Sequence, residues 1–107
     1  MNPLIPLIWV HFVADFLLQT DKMATNKSTS NKWLGIHVAV YTIPFLCWGW
    51  KFALINGAAH FVTDWFTSRG TSYLWKREKR HWFFALIGLD QAIHMTTLAL
   101  TYQWLVR

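Results

Sequence analysis

Residues 33–50 read WLGIHVAVYTIPFLCWGW. This stretch contains no Asp, Glu, Lys or Arg, and its one histidine is His37. A helix in a water-soluble bundle needs one polar face, and this stretch has none. Crossing a bilayer takes about 20 apolar residues in a helix, which this stretch nearly supplies. Three further runs are similarly apolar, at 4–20, 52–68 and 82–105. The sequence therefore predicts an all-α fold, a four-transmembrane-helix bundle in which residues 1–107 form a single membrane domain with helices at about 4–20, 33–50, 52–68 and 82–105.

The basic residues are distributed unequally between the two ends of the predicted bundle. Eight of them occupy the connections 21–32 and 69–81, whereas Lys51 and Arg107 would lie at the opposite end. Cytoplasmic connections of membrane proteins carry an excess of Lys and Arg. We therefore expect both basic connections to face the cytoplasm and both termini to lie on the non-cytoplasmic side. Six Trp residues near the run ends would then lie at the lipid–water interfaces.

A short motif occurs twice in the chain. Residues 11–16 read HFVADF, and residues 60–65, 49 positions later, read HFVTDW. The same offset aligns Lys27 with Lys76 and one tryptophan of each half with the other. The repeat predicts two copies of a helix–basic connection–helix hairpin, related by an axis along the membrane normal.

Each copy of the motif sets a histidine and an aspartate four residues apart, and residues at this spacing share one face of a helix. Asp90 and His94 repeat the spacing in reverse order on the fourth helix, and the second helix offers His37. Counting about 1.5 Å per residue from the basic connections places these side chains at one level, in or near the cytoplasmic half of the bilayer. An ionised Asp within a membrane helix costs about 2.5–3.5 kcal/mol, so a compensating partner is required.

A divalent metal ion would provide this compensation, because imidazole and carboxylate are ligands for zinc, iron and manganese. Helical bundles build dimetal sites from inward-facing carboxylate and His side chains at this kind of spacing. We therefore predict a site for one or two ions, with Asp64 or Asp15 acting as a bridging ligand or catalytic base. The candidate metal ligands are His11, Asp15, His37, His60, Asp64, Asp90 and His94.

The metal hypothesis leads to a hydrolase in which metal-activated water attacks a phosphoester or lipid-linked substrate. Two other functions would use the same residues. Intramembrane Asp and His also form proton relays, so a small proton- or ion-coupled transporter or channel is one alternative. The other is a non-catalytic membrane accessory protein in which His–Asp hydrogen bonds only hold helices together, at about 0.6–2 kcal/mol each.

The partners follow from the basic segment KREKR at 76–80. This segment mainly indicates which end of the bundle faces the cytoplasm. It would also attract anionic lipid headgroups at the bilayer surface. Four short helices leave little room for a substrate pocket, which is compatible with a homodimer. The chain contains no recognisable nucleic-acid-binding module, so no nucleic-acid partner is expected. Cys47 is the only cysteine, which excludes an internal disulfide and a multi-cysteine metal site.

The ordered motifs HFVADFLLQTDKMA, SNKWLGIH, HFVTDWFTSR, RHWFF and GLDQAIH resemble a family of small bacterial and phage membrane proteins known as domain of unknown function 3307. The resemblance covers about residues 5–96 and implies a multi-pass protein of the bacterial inner (cytoplasmic) membrane. A looser likeness links the His/acid spacing to membrane-bound metal-dependent hydrolases and to the zinc phospholipase C and P1 nuclease group. This chain is far shorter than those proteins and lacks their His-x-x-x-Glu form. The likeness implies ligand roles for His11, Asp15, His60, Asp64, Asp90 and His94.

Overall fold

The computed structural model describes residues 2–27 and 29–106, apart from the side chains at positions 24 and 25, and this part of the chain consists of helices and short connections. Arg107 lies outside the described residues. The elements are α1 at Leu4–Phe12 with a π-helical continuation at Val13–Leu17, α2 at Asp21–Asn26, α3 at Asn31–Phe45 with a 3-10 turn at Leu46–Trp48, α4 at Trp50–Lys76, and α5 at Arg80–Thr101 with a π-helical end at Tyr102–Val106. The predicted all-α class is confirmed.

The second basic connection differs most from the predicted loop. Helix α4 continues through Lys76, so only Arg77–Lys79 separate it from α5. The segment added to the helix contains no proline, and its one glycine, Gly70, packs closely against Leu86 of α5. The helix ends where Glu78 adopts a positive φ of 59°. The predicted end of this helix at about residue 68 is therefore wrong, because nothing in the sequence interrupts the helix before Lys76.

The first basic connection contains a short helix that the sequence did not predict. The Thr20 side chain caps α2 and the Ser30 side chain caps α3, each accepting a hydrogen bond from the amide three residues further on. Ser and Thr are favoured at this position because their oxygen satisfies an amide that lacks a partner within the helix. Helix α3 thus begins at Asn31, slightly earlier than predicted, and the first helical run ends at Leu17 rather than near residue 20.

The four longer helices form a bundle. Helix α4 packs along α3 on one side and along α5 on the other, while α1 packs against α3 and α5. The α4–α5 contacts run from the pair Asn56–Thr101 to the pair Thr67–Asp90, so these two helices are antiparallel. Helices α1 and α4, which carry the two copies of the His-x-x-x-Asp motif, therefore face each other diagonally across the bundle. This arrangement is compatible with the predicted pair of helical hairpins.

The distribution of apolar side chains is the reverse of that in a water-soluble protein. Among the described residues, eleven polar or charged side chains are buried against nine hydrophobic ones, while 24 large hydrophobic side chains are exposed. Water-soluble monomers rarely expose contiguous apolar patches of this extent. The outer surface of the bundle is thus suited to an apolar environment, and its interior holds the polar groups.

Only one helical run in the described part of the chain, Arg80–Val106, is long and apolar enough to cross a membrane by length and composition. The run Leu4–Leu17 is apolar but shorter. Helix α4 is long, but its buried polar side chains lower its mean hydropathy. They include Asn56, His60, Asp64 and Ser68. By this measure the structure supports one candidate span and not the four that the sequence predicts.

Buried apolar side chains close the bundle at the end opposite the basic connections. Leu7 of α1, Phe45 of α3, Phe52 of α4 and Leu98 of α5 are at most 2% exposed and pack in one cluster. The aromatic rings of Phe45 and Phe52 lie 6.1 Å apart. This apolar layer lies on one side of the ionisable side chains, which face the basic connections on the other.

Candidate metal centre

All four longer helical runs contribute ionisable side chains to one level of the bundle. Asp15 lies in the π-helical segment Val13–Leu17, which follows α1 directly. A π-helical segment changes the register of the side chains that follow it, and such segments are frequent at functional sites. The seven predicted ligands are all buried, with exposed fractions of 8% or less: His11, Asp15, His37, His60, Asp64, Asp90 and His94.

Four ligand atoms from three different helical runs converge on one point. His37 Nε2 lies 3.1 Å from Asp15 Oδ1, 3.2 Å from Asp64 Oδ2 and 3.1 Å from His60 Nε2. His60 Nε2 lies 3.4 Å from the same Asp15 oxygen and 3.2 Å from the same Asp64 oxygen. All four atoms lie within 4.8 Å of one another, so this group could hold a metal ion.

A second group shares Asp15 with the first. It consists of Asp15, Asp90 and His94, whose ligand atoms also lie within 4.8 Å of one another. His94 Nε2 lies 3.1 Å from Asp90 Oδ1 and 3.4 Å from Asp64 Oδ1. The Thr67 hydroxyl donates to Asp90 Oδ1 at 2.7 Å and so fixes that carboxylate. Because Asp15 belongs to both groups, its two oxygens could serve two neighbouring ions.

His11 is held in a hydrogen-bond network beside these groups. Gln91 Nε2 donates to Asp90 Oδ2 at 3.1 Å and to Asp15 Oδ2 at 3.3 Å. The Gln91 carbonyl must therefore point the other way, and it accepts from His11 Nε2 at 2.7 Å. His11 Nδ1 then accepts from the Tyr41 hydroxyl at 2.9 Å. Both ring nitrogens of His11 are used, which sets it outside the two groups of ligand atoms.

Stacked rings orient two of the imidazoles. The His60 ring lies between Tyr41, with ring centroids 3.9 Å apart, and His94, with centroids 4.0 Å apart. The Nδ1 atoms of His37 and His60 are buried and have no hydrogen-bond partner among the described residues. The orientation of these rings therefore depends on packing rather than on hydrogen bonds to a second layer of residues.

One cation reaches the centre from outside the bundle. Lys27, at the carboxyl end of α2, places its Nζ 3.2 Å from Asp64 Oδ2. The Lys27 side chain is 18% exposed, whereas the Asp64 side chain is 2% exposed. Helix α2 thus covers the centre at the basic end of the bundle and delivers a positive charge to it.

A cavity of about 280 Å³ adjoins the centre on this side. Its wall includes the three carboxylates of Asp15, Asp64 and Asp90 as well as Lys27. Ser68, a residue that is 6% exposed, also lines the cavity, and its buried hydroxyl has no hydrogen-bond partner among the described residues. The cavity connects the candidate ligands to the surface near the basic connections, because Lys27 is partly exposed.

The structure brings together six of the seven predicted ligands and places His11 directly beside them, 3.7 Å from Asp15 Oδ2. The sequence did not identify Lys27 or Thr67 as part of the site. Thr67 stands three residues after Asp64, and this helical spacing could have indicated it. Lys27 gives no such signal, because it comes from a separate short helix.

No curated protein and no solved structure gave a match to this chain. A family model matches residues 4–107, which is nearly the entire sequence and includes every candidate ligand. The chain belongs to the family described as protein of unknown function (DUF3307).

Proposed function

We propose that this chain is a multi-pass membrane protein that binds divalent metal in its buried His/Asp cluster and hydrolyses a phosphoester or lipid-linked substrate there. The observation that carries the proposal is the spacing of Asp15 Oδ1, His37 Nε2, His60 Nε2 and Asp64 Oδ2. Ligands at about 2.0–2.1 Å from a tetrahedral zinc ion stand roughly 3.3–3.4 Å apart. Five of the six distances among these four atoms are 3.1–3.4 Å. The set fits zinc, and iron and manganese use the same ligand types.

The charge of the cluster supports a cation. Three ionised carboxylates and the Lys27 ammonium leave two negative charges if the imidazoles are neutral. A buried charge without a partner is strongly unfavourable, and one divalent ion would balance these two charges. Neutral imidazole is also the form that binds a metal. The donor set and this balance of charge are both compatible with a divalent ion.

The two groups of ligands differ in a way that suits catalysis. The first group offers four protein ligands, the number typical of a closed structural zinc site. The second group, Asp15, Asp90 and His94, offers three, which is typical of a catalytic site with an open position. Two of its members, Asp15 and Asp90, line the cavity. A substrate in the cavity would therefore contact the second group, which offers fewer protein ligands to a metal ion.

In the proposed reaction the metal ion and the protein side chains have different roles. A divalent ion in the second group would polarise a phosphoryl oxygen and acidify a water molecule. Asp64, whose Oδ1 faces His94, is placed to bind metal and to accept a proton in the cavity. Asp15 would contribute to both groups of ligands. Gln91 and Thr67 hold Asp15 and Asp90 in position, and His11 acts through Gln91 as a positioning residue.

The membrane setting rests on the reversed distribution of polarity. A bundle with buried His and Asp and an exposed apolar surface is expected where lipid replaces water outside. Functional polar side chains lower the mean hydropathy of such helices without preventing them from crossing a bilayer, since these side chains face the interior of the bundle. We therefore retain four spans, the inner membrane of a bacterium and cytoplasmic basic connections as parts of the proposal.

A proton or ion pathway is less well supported. A pathway must continue through the bundle, whereas on one side the His/Asp cluster is followed by the packed apolar side chains Leu7, Phe45, Phe52 and Leu98, beside one buried polar pair, Asn56–Thr101. A purely structural role would leave the cavity and its unpaired Ser68 hydroxyl without a use. In the proposed hydrolase the cavity would hold the substrate, and the Ser68 hydroxyl could donate a hydrogen bond to it.

The test is metal-dependent phosphate release by the purified protein in proteoliposomes. Lipid phosphates and soluble phosphomonoesters would be supplied with zinc, manganese or iron. We expect release that stops on chelation and falls by at least about a hundredfold in Asp64→Asn, since this change removes a ligand. Glu78→Gln, which changes an exposed carboxylate in the α4–α5 connection, should retain full activity. Equal activity in Asp64→Asn and wild type would refute the role of the cluster.

A further inference from the structure

The cavity beside the candidate metal centre adjoins an apolar groove on the outside of the bundle. The cavity shares two lining residues, Phe16 and Gln91, with a larger depression of about 450 Å³ between α1 and α5. That depression in turn shares Ile8 and Met95 with a third, of about 360 Å³. The three depressions therefore lie in a row, here called the furrow, which extends from Lys27 at the basic end to Leu4 at the opposite end.

The furrow changes character along its length. At the basic end the residues of its wall include Lys27, the three aspartates and Ser68. Beyond Phe16 and Gln91 the lining is nearly all apolar and includes Ile8, Met95 and Ala99. A molecule that fits both parts needs a polar head and a hydrocarbon tail.

The apolar part of the furrow is somewhat longer than the hydrocarbon layer of one leaflet. From Phe16 to Leu4 the first helical run rises roughly 18 Å at about 1.5 Å per residue. Half the hydrocarbon core of a bilayer is about 15 Å. In the proposed orientation the polar end of the furrow lies at the cytoplasmic headgroup level and the tail would lie parallel to the surrounding lipid chains.

The charge at the polar end of the furrow favours a phosphate headgroup. With both ligand groups loaded, two divalent ions would turn the two excess negative charges of the cluster into two positive ones. A phosphate monoester carries up to two negative charges and so balances this centre. The Lys27 ammonium and the buried, unpartnered Ser68 hydroxyl are additional donors for phosphate oxygens.

We propose that the substrate is a lipid phosphate of the cytoplasmic leaflet, with its phosphate in the cavity and one hydrocarbon chain in the α1–α5 groove. This inference rests on the proposed hydrolase function, whose substrate class it narrows. We assign the groove to a lipid chain rather than to a second copy of the protein, because the groove adjoins a cavity suited to phosphate.

Photolabelling tests the proposal without relying on turnover. A long-chain alkyl phosphate with a diazirine at the chain end would be added to the protein in nanodiscs of zwitterionic lipid. The matching long-chain alcohol, with the same diazirine, is the headgroup control. Labelled residues are mapped by mass spectrometry, and the metal content of each sample is measured in parallel. We expect the phosphate probe, but not the alcohol, to label α1 and α5 residues of the groove in preference to the exposed apolar residues of α4.

Two matched variants locate the tail. Ile8 and Ile5 lie on the same helix and are 47% and 46% exposed, but only Ile8 lines the groove. Ile8→Trp should fill the groove and reduce labelling there roughly tenfold, since lost contact with two methylene groups has about this effect on affinity. Ile5→Trp should leave the labelling unchanged.

The outcomes distinguish failure of the lipid-phosphate proposal from failure of the hydrolase proposal. Even labelling of all lipid-facing surfaces in metal-loaded protein would overturn the lipid-phosphate proposal and leave the metal centre standing. Equal groove labelling by both probes would mean ordinary bilayer lipid and would also overturn it. Crosslinked dimers through this face would assign the groove to a second copy. Protein that binds no metal would refute the hydrolase and, with it, the charge balance on which the phosphate headgroup depends.

Discussion

The Lys27 ammonium lies 3.2 Å from Asp64 Oδ2, so a side chain from the short helix α2 pairs with a carboxylate at the centre of the bundle. The same Asp64 oxygen lies 3.2 Å from the Nε2 atoms of both His37 and His60. The ammonium therefore stands beside the position proposed for a metal ion. Two cations this close repel each other, and Lys27 should compete with the metal for Asp64.

Replacing Lys27 by methionine should tighten metal binding. A unit charge and a divalent ion about 4 Å apart repel by about 8 kcal/mol at an effective dielectric constant near 20. Much of this is relieved when the flexible lysine swings away, so we expect a gain of about tenfold in zinc affinity, measured by competition with a fluorescent chelator. Metal-free Lys27→Met should also be less stable than metal-free wild type, because Asp64 loses its ammonium partner.

Lys32→Met is the control for this change. Lys32 is an exposed lysine at the start of α3, in the same basic region, and it does not line the cavity. It should leave zinc affinity unchanged. Weaker zinc binding in Lys27→Met than in Lys32→Met would contradict the proposed competition.

His11→Ala should weaken the metal centre without abolishing it. His11 contacts Gln91, which in turn donates to Asp15 and Asp90. Groups that orient metal ligands typically contribute tenfold to a hundredfold in affinity. We expect a loss in this range in a zinc titration, compared with no change for His81→Ala at an exposed position. Complete loss of metal would instead indicate that His11 is itself a ligand.

Gly57→Ala should destabilise the contact between α3 and α4. A Cβ atom at this position would overlap the side chain of Thr42, which is β-branched and has little freedom to move. Overpacking of this kind costs about 1–3 kcal/mol. Gly35→Ala is the matched change on α3, where a Cβ meets nothing within 4 Å, and it should be neutral or slightly stabilising. Thermal unfolding in detergent would compare them; equal stability of the two variants would refute the close approach at Gly57.

The lone cysteine tests the topology. Cys47 is exposed in the turn between α3 and α4, at the opposite end of the bundle from Glu78. In intact spheroplasts a membrane-impermeant maleimide should label Cys47. In a Cys47→Ser background, Glu78→Cys should be labelled only after the membrane is opened. Labelling of both positions in intact cells, or recovery of the protein in the soluble fraction, would contradict the proposed four spans.

The sequence was sufficient to predict which side chains meet. His60 and Asp64 lie four residues apart on a regular helix, and the distances of both His-x-x-x-Asp pairs from the basic connections place them at one level. Helical periodicity determines both properties, so no knowledge of tertiary contacts was needed. The structure accordingly brings Asp15 and Asp64 to the same two histidines.

What the sequence could not predict depends on contacts between distant segments. The π-helical turn that carries Asp15 has no sequence signature, and it changes the direction in which that carboxylate points. Lys27 reaches Asp64 across 37 positions, because α2 folds over the end of the bundle. His11 was grouped with the ligands because spacing alone does not distinguish it from His60. Only its contacts with Tyr41 and Gln91 separate the two roles.

The most direct test of the metal centre is the metal content of protein purified in detergent without chelator, measured by inductively coupled plasma mass spectrometry. The wild type would be compared with the double variant His60→Ala/Asp64→Asn and with the surface control His81→Ala/Glu78→Gln. We predict one or two equivalents of zinc, iron or manganese in the wild type and the control, and loss of metal in the His60→Ala/Asp64→Asn variant. Metal at background level in all three proteins, or equal metal in all three, would contradict a metal centre built on His60 and Asp64.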